Sequence, residues 1–211
     1  MADTLPPRFH SYHPADGHRL PHDPFNAIIG PRPIGWISSR DAEGGNVNLA
    51  PYSFFNAFNY TPPIIGFSSQ GRKDSLRNIE ATGEFVWNLA TFDLAQAMNE
   101  SCRAVAPEVD EFVMAGLTPL ASEQVAPPRV AQSPVSMECR CTQIVRLRDA
   151  AGNDTNGWLV LGEVVAVHID TRLLVDGIYD TAASDTILRG GGPADYFRIT
   201  ADQRFRMLRP A

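Results

Sequence analysis

The chain has 211 residues, 44% of them hydrophobic and 20% charged, with a net charge of −6 and a pI near 5.3. A chain of this length buries roughly 70% of its unfolded surface, so one folded domain is expected, and the acidic balance excludes a broad nucleic-acid surface. The N-terminus lacks the apolar core of a secretory signal, and no segment approaches the roughly 18 uncharged apolar residues of a membrane span. Three cysteines are too few for a disulfide framework, so a soluble, cytoplasmic protein is expected.

In chain order, residues 1–24 are rich in Pro and His and lack periodicity, which predicts an extended arm ahead of a domain spanning 25–211. His18 and His22 have the i, i+4 spacing of helical metal ligands, but Pro21 between them breaks the helix, and no metal site is expected. After Phe25-Asn26-Ala27-Ile28-Ile29, the run Ile34 to Ser39 predicts a strand and Asp41 to Gly45 a turn. The aromatic run Val47 to Phe58 follows, and Pro62-Pro63 opens a strand over Ile64 to Ser68, where a strand-initial Pro costs no ladder donor. Asp74 or Ser75 is expected to cap a short helix, Leu76 to Ala81, stopped by Gly83 and followed by a strand from Glu84 to Leu89. Asp93 is expected to cap a helix over Leu94 to Arg103, with a helical turn at Glu108 to Met114. Ser136 to Leu147 alternates cleanly, Gly152-Asn153-Asp154 turns the chain, and Trp158 to Ile169 returns. Two long strands plus four short ones exceed what one open sheet leaves uncovered, so a closed or split barrel is expected.

Small polar residues gather at the junctions between Pro31 and Asn78, as a bound phosphate would require. Gly66-Phe67-Ser68-Ser69-Gln70-Gly71-Arg72-Lys73 lies between a strand and a helix, yet Arg72 stands where a phosphate loop has Lys and Lys73 where it has the magnesium-binding hydroxyl. Nucleotide hydrolysis is therefore not expected. Free amides at a helix start beside two cations still attract a phosphate without a metal. No dinucleotide fingerprint and no nucleophile elbow occur. Glu108, Asp110 and Glu111 read as a solvated helical face, His168 as a core or rim histidine at a strand end, and Cys139 and Cys141 as small buried residues on one strand face.

Leu20-Pro21-His22-Asp23-Pro24-Phe25, Pro31-Arg32-Pro33-Ile34-Gly35-Trp36-Ile37-Ser38, Asn48-Leu49-Ala50-Pro51-Tyr52-Ser53-Phe54-Phe55-Asn56 and Lys73-Asp74-Ser75-x-x-Asn78 occur in order along the chain. Together with Thr82-Gly83-Glu84-Phe85, Ser133 to Glu138 and Gly162 to Val165, they resemble the flavin reductase-like, FMN-binding split-barrel family that includes flavoredoxin, over roughly residues 20–200. The resemblance implies a mostly β fold, a six-stranded antiparallel Greek-key split barrel with flanking short helices. It implies non-covalent FMN, NAD(P)H as co-substrate, a homodimer, and a monooxygenase or other electron-accepting protein as partner. By position, Trp36, Ile37, Ser38, Ser39, Asn48, Ala50, Pro51, Ser53, Phe54 and Phe55 would line the ring and ribityl chain. Ser68, Ser69, Arg72, Lys73, Ser75 and Asn78 would hold the phosphate end, with Arg32 as an extra contact. Hydride transfer between nicotinamide and flavin obliges no side-chain base, so no catalytic residue is assigned. The expected function is NAD(P)H-dependent flavin reduction. A flavoredoxin-like FMN electron carrier without nicotinamide turnover and a binding protein for another ligand are the alternatives.

Overall fold

In the computed structural model of the protein, residues 9–210 are described. Seven strands, β1 (Gly35–Arg40), β2 (Val47–Tyr52), β3 (Phe55–Asn59), β4 (Ile64–Gln70), β5 (Glu84–Asn88), β6 (Val135–Arg148) and β7 (Asp154–Ile169), form one antiparallel sheet in the order β2-β1-β5-β6-β7-β4-β3. The sheet curls so that its two edge strands, β2 and β3, follow one another in sequence through Ser53 and Phe54. Strands β5, β6 and β7 are consecutive neighbours and β4 returns beside β7, the Greek-key order of a split barrel. The count is seven rather than six because the aromatic run is two strands, not one. At the corner the Phe54 carbonyl accepts from the Ser68 amide at 2.8 Å and the Ser53 carbonyl from Arg32 Nε at 3.0 Å.

Successive residues of β1 point to opposite faces, so Ile37 enters a core with Phe67, Phe85, Cys139 and Val160, while Trp36 enters a second with Leu49, Met98, Phe112 and Val130. Helix α1 (Phe25–Ile28) precedes the sheet; α2 (Asp74–Thr82) closes the first core with Leu76 and Ile79, and α3 (Ala95–Glu100) and α4 (Glu111–Met114) cover the second. Gly83 ends α2 in the left-handed region at φ 71°, its amide returning to the Ile79 carbonyl at 2.8 Å, as the sequence predicts.

Two capping expectations fail. Lys73 occupies the N-cap of α2 and gives no side-chain cap, because the Asp74 carboxylate is held by Arg77 and the Ser75 hydroxyl accepts from Asn48 at 3.2 Å. Leu94, not Asp93, precedes α3, which covers only Ala95–Glu100. Short ladders pairing Pro119–Leu120 with Arg129–Val130, Leu174–Val175 with Ile178–Tyr179, and Ile187–Gly191 with Asp195–Arg198 lie outside the sheet. Within the arm, Pro14–Asp16 forms one 3-10 turn, and residues 1–8 lie outside the described part.

Candidate functional site

A cleft of about 480 Å³ opens between the end of β2, the start of α2 and the loop after α3. Its formation begins at Gly71, whose φ of 89° ends β4 and whose amide is tied to the Asn156 carbonyl at 2.8 Å. Lys73 then runs extended (φ −83°, ψ 174°) into α2, so the first-turn amides emerge with no side-chain acceptor. Two amides fix the helix to the sheet: Asn48 donates to the Ser75 hydroxyl and Asn78 to the Ser39 hydroxyl, each at 3.2 Å.

The three cations at this helix start differ. Arg72 is engaged by Glu80, and Arg77 by Asp74. Lys73 is exposed and, among the described residues, makes no ion pair or side-chain hydrogen bond. It therefore offers its full charge to the cleft. The floor carries Tyr52, 7% exposed, whose buried hydroxyl makes no hydrogen bond of good geometry among the described residues, although the hydroxyls of Ser75 and Ser69 lie near it. Burial pushes this phenol up, against the pull of those two hydroxyls. The buried phenol, the uncapped amides and the unpaired ammonium are donors awaiting an acceptor, the set a phosphorylated flavin tail would satisfy. Next to Tyr52 stands Glu111, which is 8% exposed and accepts from the Leu49 amide at 3.2 Å. Glu111 is thus no part of a solvated acidic face, and Asp110 caps α4 by accepting from the amides of Phe112 and Val113.

Of the residues expected at the site, Asn48, Ala50, Pro51, Lys73 and Ser75 line this cleft. Ser53 lines an adjoining hollow of about 200 Å³ that shares Pro51, Tyr52 and Cys102 with it. Ser39 and Asn78 position α2 from behind. The side chains of Trp36, Ile37 and Ser38 turn into the protein: Trp36 donates to the Ser101 hydroxyl at 3.0 Å, Ile37 is in the first core, and Ser38 donates to the Pro128 carbonyl at 2.5 Å. Ser69 donates to the Gly71 carbonyl at 2.8 Å, Ser68 accepts from Gln70 at 3.4 Å, and Phe55 stacks on Trp87 with centroids 5.7 Å apart. Arg32, 8% exposed, donates to the carbonyls of Asn26, Ile29 and Ser53 and lies 5.5 Å from the Phe54 ring, so it braces α1 against the β2–β3 corner.

Glu111 and the loop residues Ser101 to Val105 line the cleft outside the stretches expected to hold the cofactor. The one available signal was Asp110 followed by Phe112, a cap and a core residue that fix the phase of α4. A larger, shallower hollow of about 660 Å³ surrounds His168 at the far end of β7. Size favours it, but its Arg172 is paired with Asp170 and His168 Nε2 lies 2.7 Å from the buried Glu138. Arg129, the other cation of its lining, has no acidic partner among the described residues and donates to the Ala121 carbonyl.

A family model described as a flavin reductase like domain matches residues 30–183. The uncharacterized protein YwrF of Bacillus subtilis is 31% identical over 191 residues, covering 89% of this chain and 92% of its own. Nitrilotriacetate monooxygenase component B from Bacillus cereus superposes with a TM-score of 0.85 at 29% identity, covering 96% of this chain and all of that one. Flavoredoxin of Desulfovibrio vulgaris shares the fold, with a TM-score of 0.70 at 20% identity over 86% of this chain and 91% of its own. Among the described residues no helix is long and apolar enough to cross a membrane.

Proposed function

Because the chain belongs to the flavin reductase-like family of flavin-binding oxidoreductases, we propose that it is an NAD(P)H-dependent FMN oxidoreductase whose 480 Å³ cleft holds the phosphate end of the cofactor. One observation carries this reading: an uncapped helix start beside a lysine with no partner among the described residues. The α2 amides and Lys73 hold the phosphate, and Tyr52 donates toward the tail. Asn48 and Asn78 keep the helix start in place by their bonds to Ser75 and Ser39. Ala50, Pro51 and Ser53 carry the wall toward the ring. A bound flavin supplies the centre that takes hydride from a nicotinamide. The protein's part is alignment and exclusion of water, and it needs no side-chain base.

The named function of the Bacillus cereus neighbour, a monooxygenase component, supports an electron-accepting monooxygenase as the partner of this chain. The test is a pair of titrations with FMN and riboflavin. FMN is expected to bind at least about tenfold more tightly, and Lys73→Ala to lose most of that difference, about 1.5–3 kcal/mol for a charge-assisted bond. Equal affinity for the two flavins would overturn the assignment. Stopped-flow mixing with NADH and NADPH then separates an NAD(P)H oxidoreductase, which bleaches its flavin, from a flavoredoxin-like carrier, which leaves it coloured.

A further inference from the structure

Glu111 is a buried carboxyl that the proposed chemistry does not use. It enters the cleft from the first turn of α4, bonded to the Leu49 amide of β2 and adjoining the buried Tyr52 hydroxyl. Facing it are Asp110 on its own element and Tyr52 on β2. Across the cleft stand Lys73 and Asp74 on α2, and Cys102 and Arg103 after α3. Asp74 is neutralised by Arg77 and Arg103 by Glu100, which leaves Lys73 as the one cation of the cleft without an acidic partner among the described residues. An anion seated on Lys73 and the α2 amides takes up that cation and sets a like charge in the same space as Glu111. A carboxylate there would be repelled, whereas the neutral acid would add an O–H donor beside that of Tyr52.

We propose that Glu111 is a specificity-determining residue that works as the neutral acid, donating a hydrogen bond to the phosphate-bearing tail of the bound flavin, so that cofactor binding is linked to its protonation. This rests on the flavin reading above. Burial already pushes the Glu111 carboxyl up, with Asp110 adding to the shift, against the pull of the Leu49 amide and its own. That shift already favours the neutral acid, and a phosphate tail in the same space favours it further. Because the bound state holds the proton more tightly than the free state, protons favour binding, and affinity falls as pH rises through the titration.

The test measures FMN and riboflavin dissociation constants by flavin fluorescence from about pH 5.5 to about pH 8, for the wild type and for Glu111→Gln. The phosphate's own ionisation is common to both proteins and cancels in their ratio. The wild-type constant for FMN is expected to rise by about tenfold more than that of Glu111→Gln across this range, one pKa unit being a factor of ten. Riboflavin should show no such difference. Calorimetry of the wild type in two buffers of different ionisation enthalpy, at about pH 7.5, needs no variant and should show a fraction of a proton taken up with FMN and none with riboflavin. Parallel FMN profiles for the two proteins, or no proton uptake, would overturn the role of Glu111 while FMN still outbinds riboflavin. Equal binding of FMN and riboflavin would overturn the flavin-phosphate site and this proposal with it.

Discussion

Glu138 has no exposed surface, yet its carboxylate accepts from the amides of Glu123 at 2.8 Å and Gln124 at 2.6 Å and lies 2.7 Å from His168 Nε2. One side chain of β6 therefore fastens the loop before Arg129 to the sheet. Burial alone would raise its pKa, but the two amides, and then His168, outweigh burial and hold it below the ordinary carboxylate range. A depressed folded-state value contributes stability above the unfolded pKa of about 4.3 and loses it as pH falls through the folded value. Glu138→Gln is expected to cost about 1–3 kcal/mol at neutral pH, the scale of a charge-assisted buried network. Its unfolding free energy, measured in urea, should also fall less steeply than the wild type's as pH drops below about 4.3. An unchanged acid limb would show that Glu138 does not fix that loop. The sequence places Glu138 in one of the family-like blocks but does not show its role, because its partners are loop amides, which carry no residue signature. Lys73 was legible, since a cation at a helix start acts through local geometry that strand, glycine and helix order already fix.

Among the elements, the long pair β6 and β7 was readable from alternation, and the Gly71 to Asn78 segment from its strand-to-helix order. The β2–β3 corner was not. The stretch Tyr52 to Phe55 contains no Gly, Asn or Asp, and the bonds to Ser68 and Arg32 that hold it come from elsewhere in the chain. The two-residue ladders were also invisible, being too short to show any period. Gly162 on β7 shows how a weak local signal hides a packing constraint. A strand glycine reads as a loss of propensity, but a Cβ there would lie 2.4 Å from Phe85 Cε1 and 3.2 Å from Cys139 Cβ. Phe85 is fully buried among Phe67, Trp87 and Val160, so its ring has no room to retreat. Gly162→Ala is expected to cost about 1–3 kcal/mol by overpacking. Chemical denaturation should show a lowered midpoint with an unchanged slope, and a neutral substitution would mean that the β5 side chains can slide.

At the scale of the molecule, large apolar side chains stand exposed on α1, on β3 and on the turn after it. Phe25, Ile28 and Ile29 of α1 and its end are each more than half exposed, as are Phe58 at 53% and Tyr60 at 93% on β3 and the turn after it. Phe25 meets Phe54 edge-on at 6.4 Å, which joins α1 to the same corner as β3. Tyr52, at the start of the same aromatic stretch, is part of the core and the floor of the cleft. Exposed apolar side chains of this kind mark interfaces, and a second copy of the chain is the partner proposed for them. Light scattering is expected to give twice the 23.1 kDa chain mass at micromolar concentration. The contact is apolar, so added salt should not dissociate it, unlike an association held by ion pairs. Phe58→Asp combined with Tyr60→Asp places two carboxylates in that contact and should yield a monomer with unchanged sheet content, since neither side chain belongs to a core cluster. A wild-type monomer, or a double variant that stays dimeric, would move the interface elsewhere. β3 follows Tyr52 of the cleft through Ser53 and Phe54, so a monomeric variant that also binds FMN more weakly would place the partner against the cofactor wall.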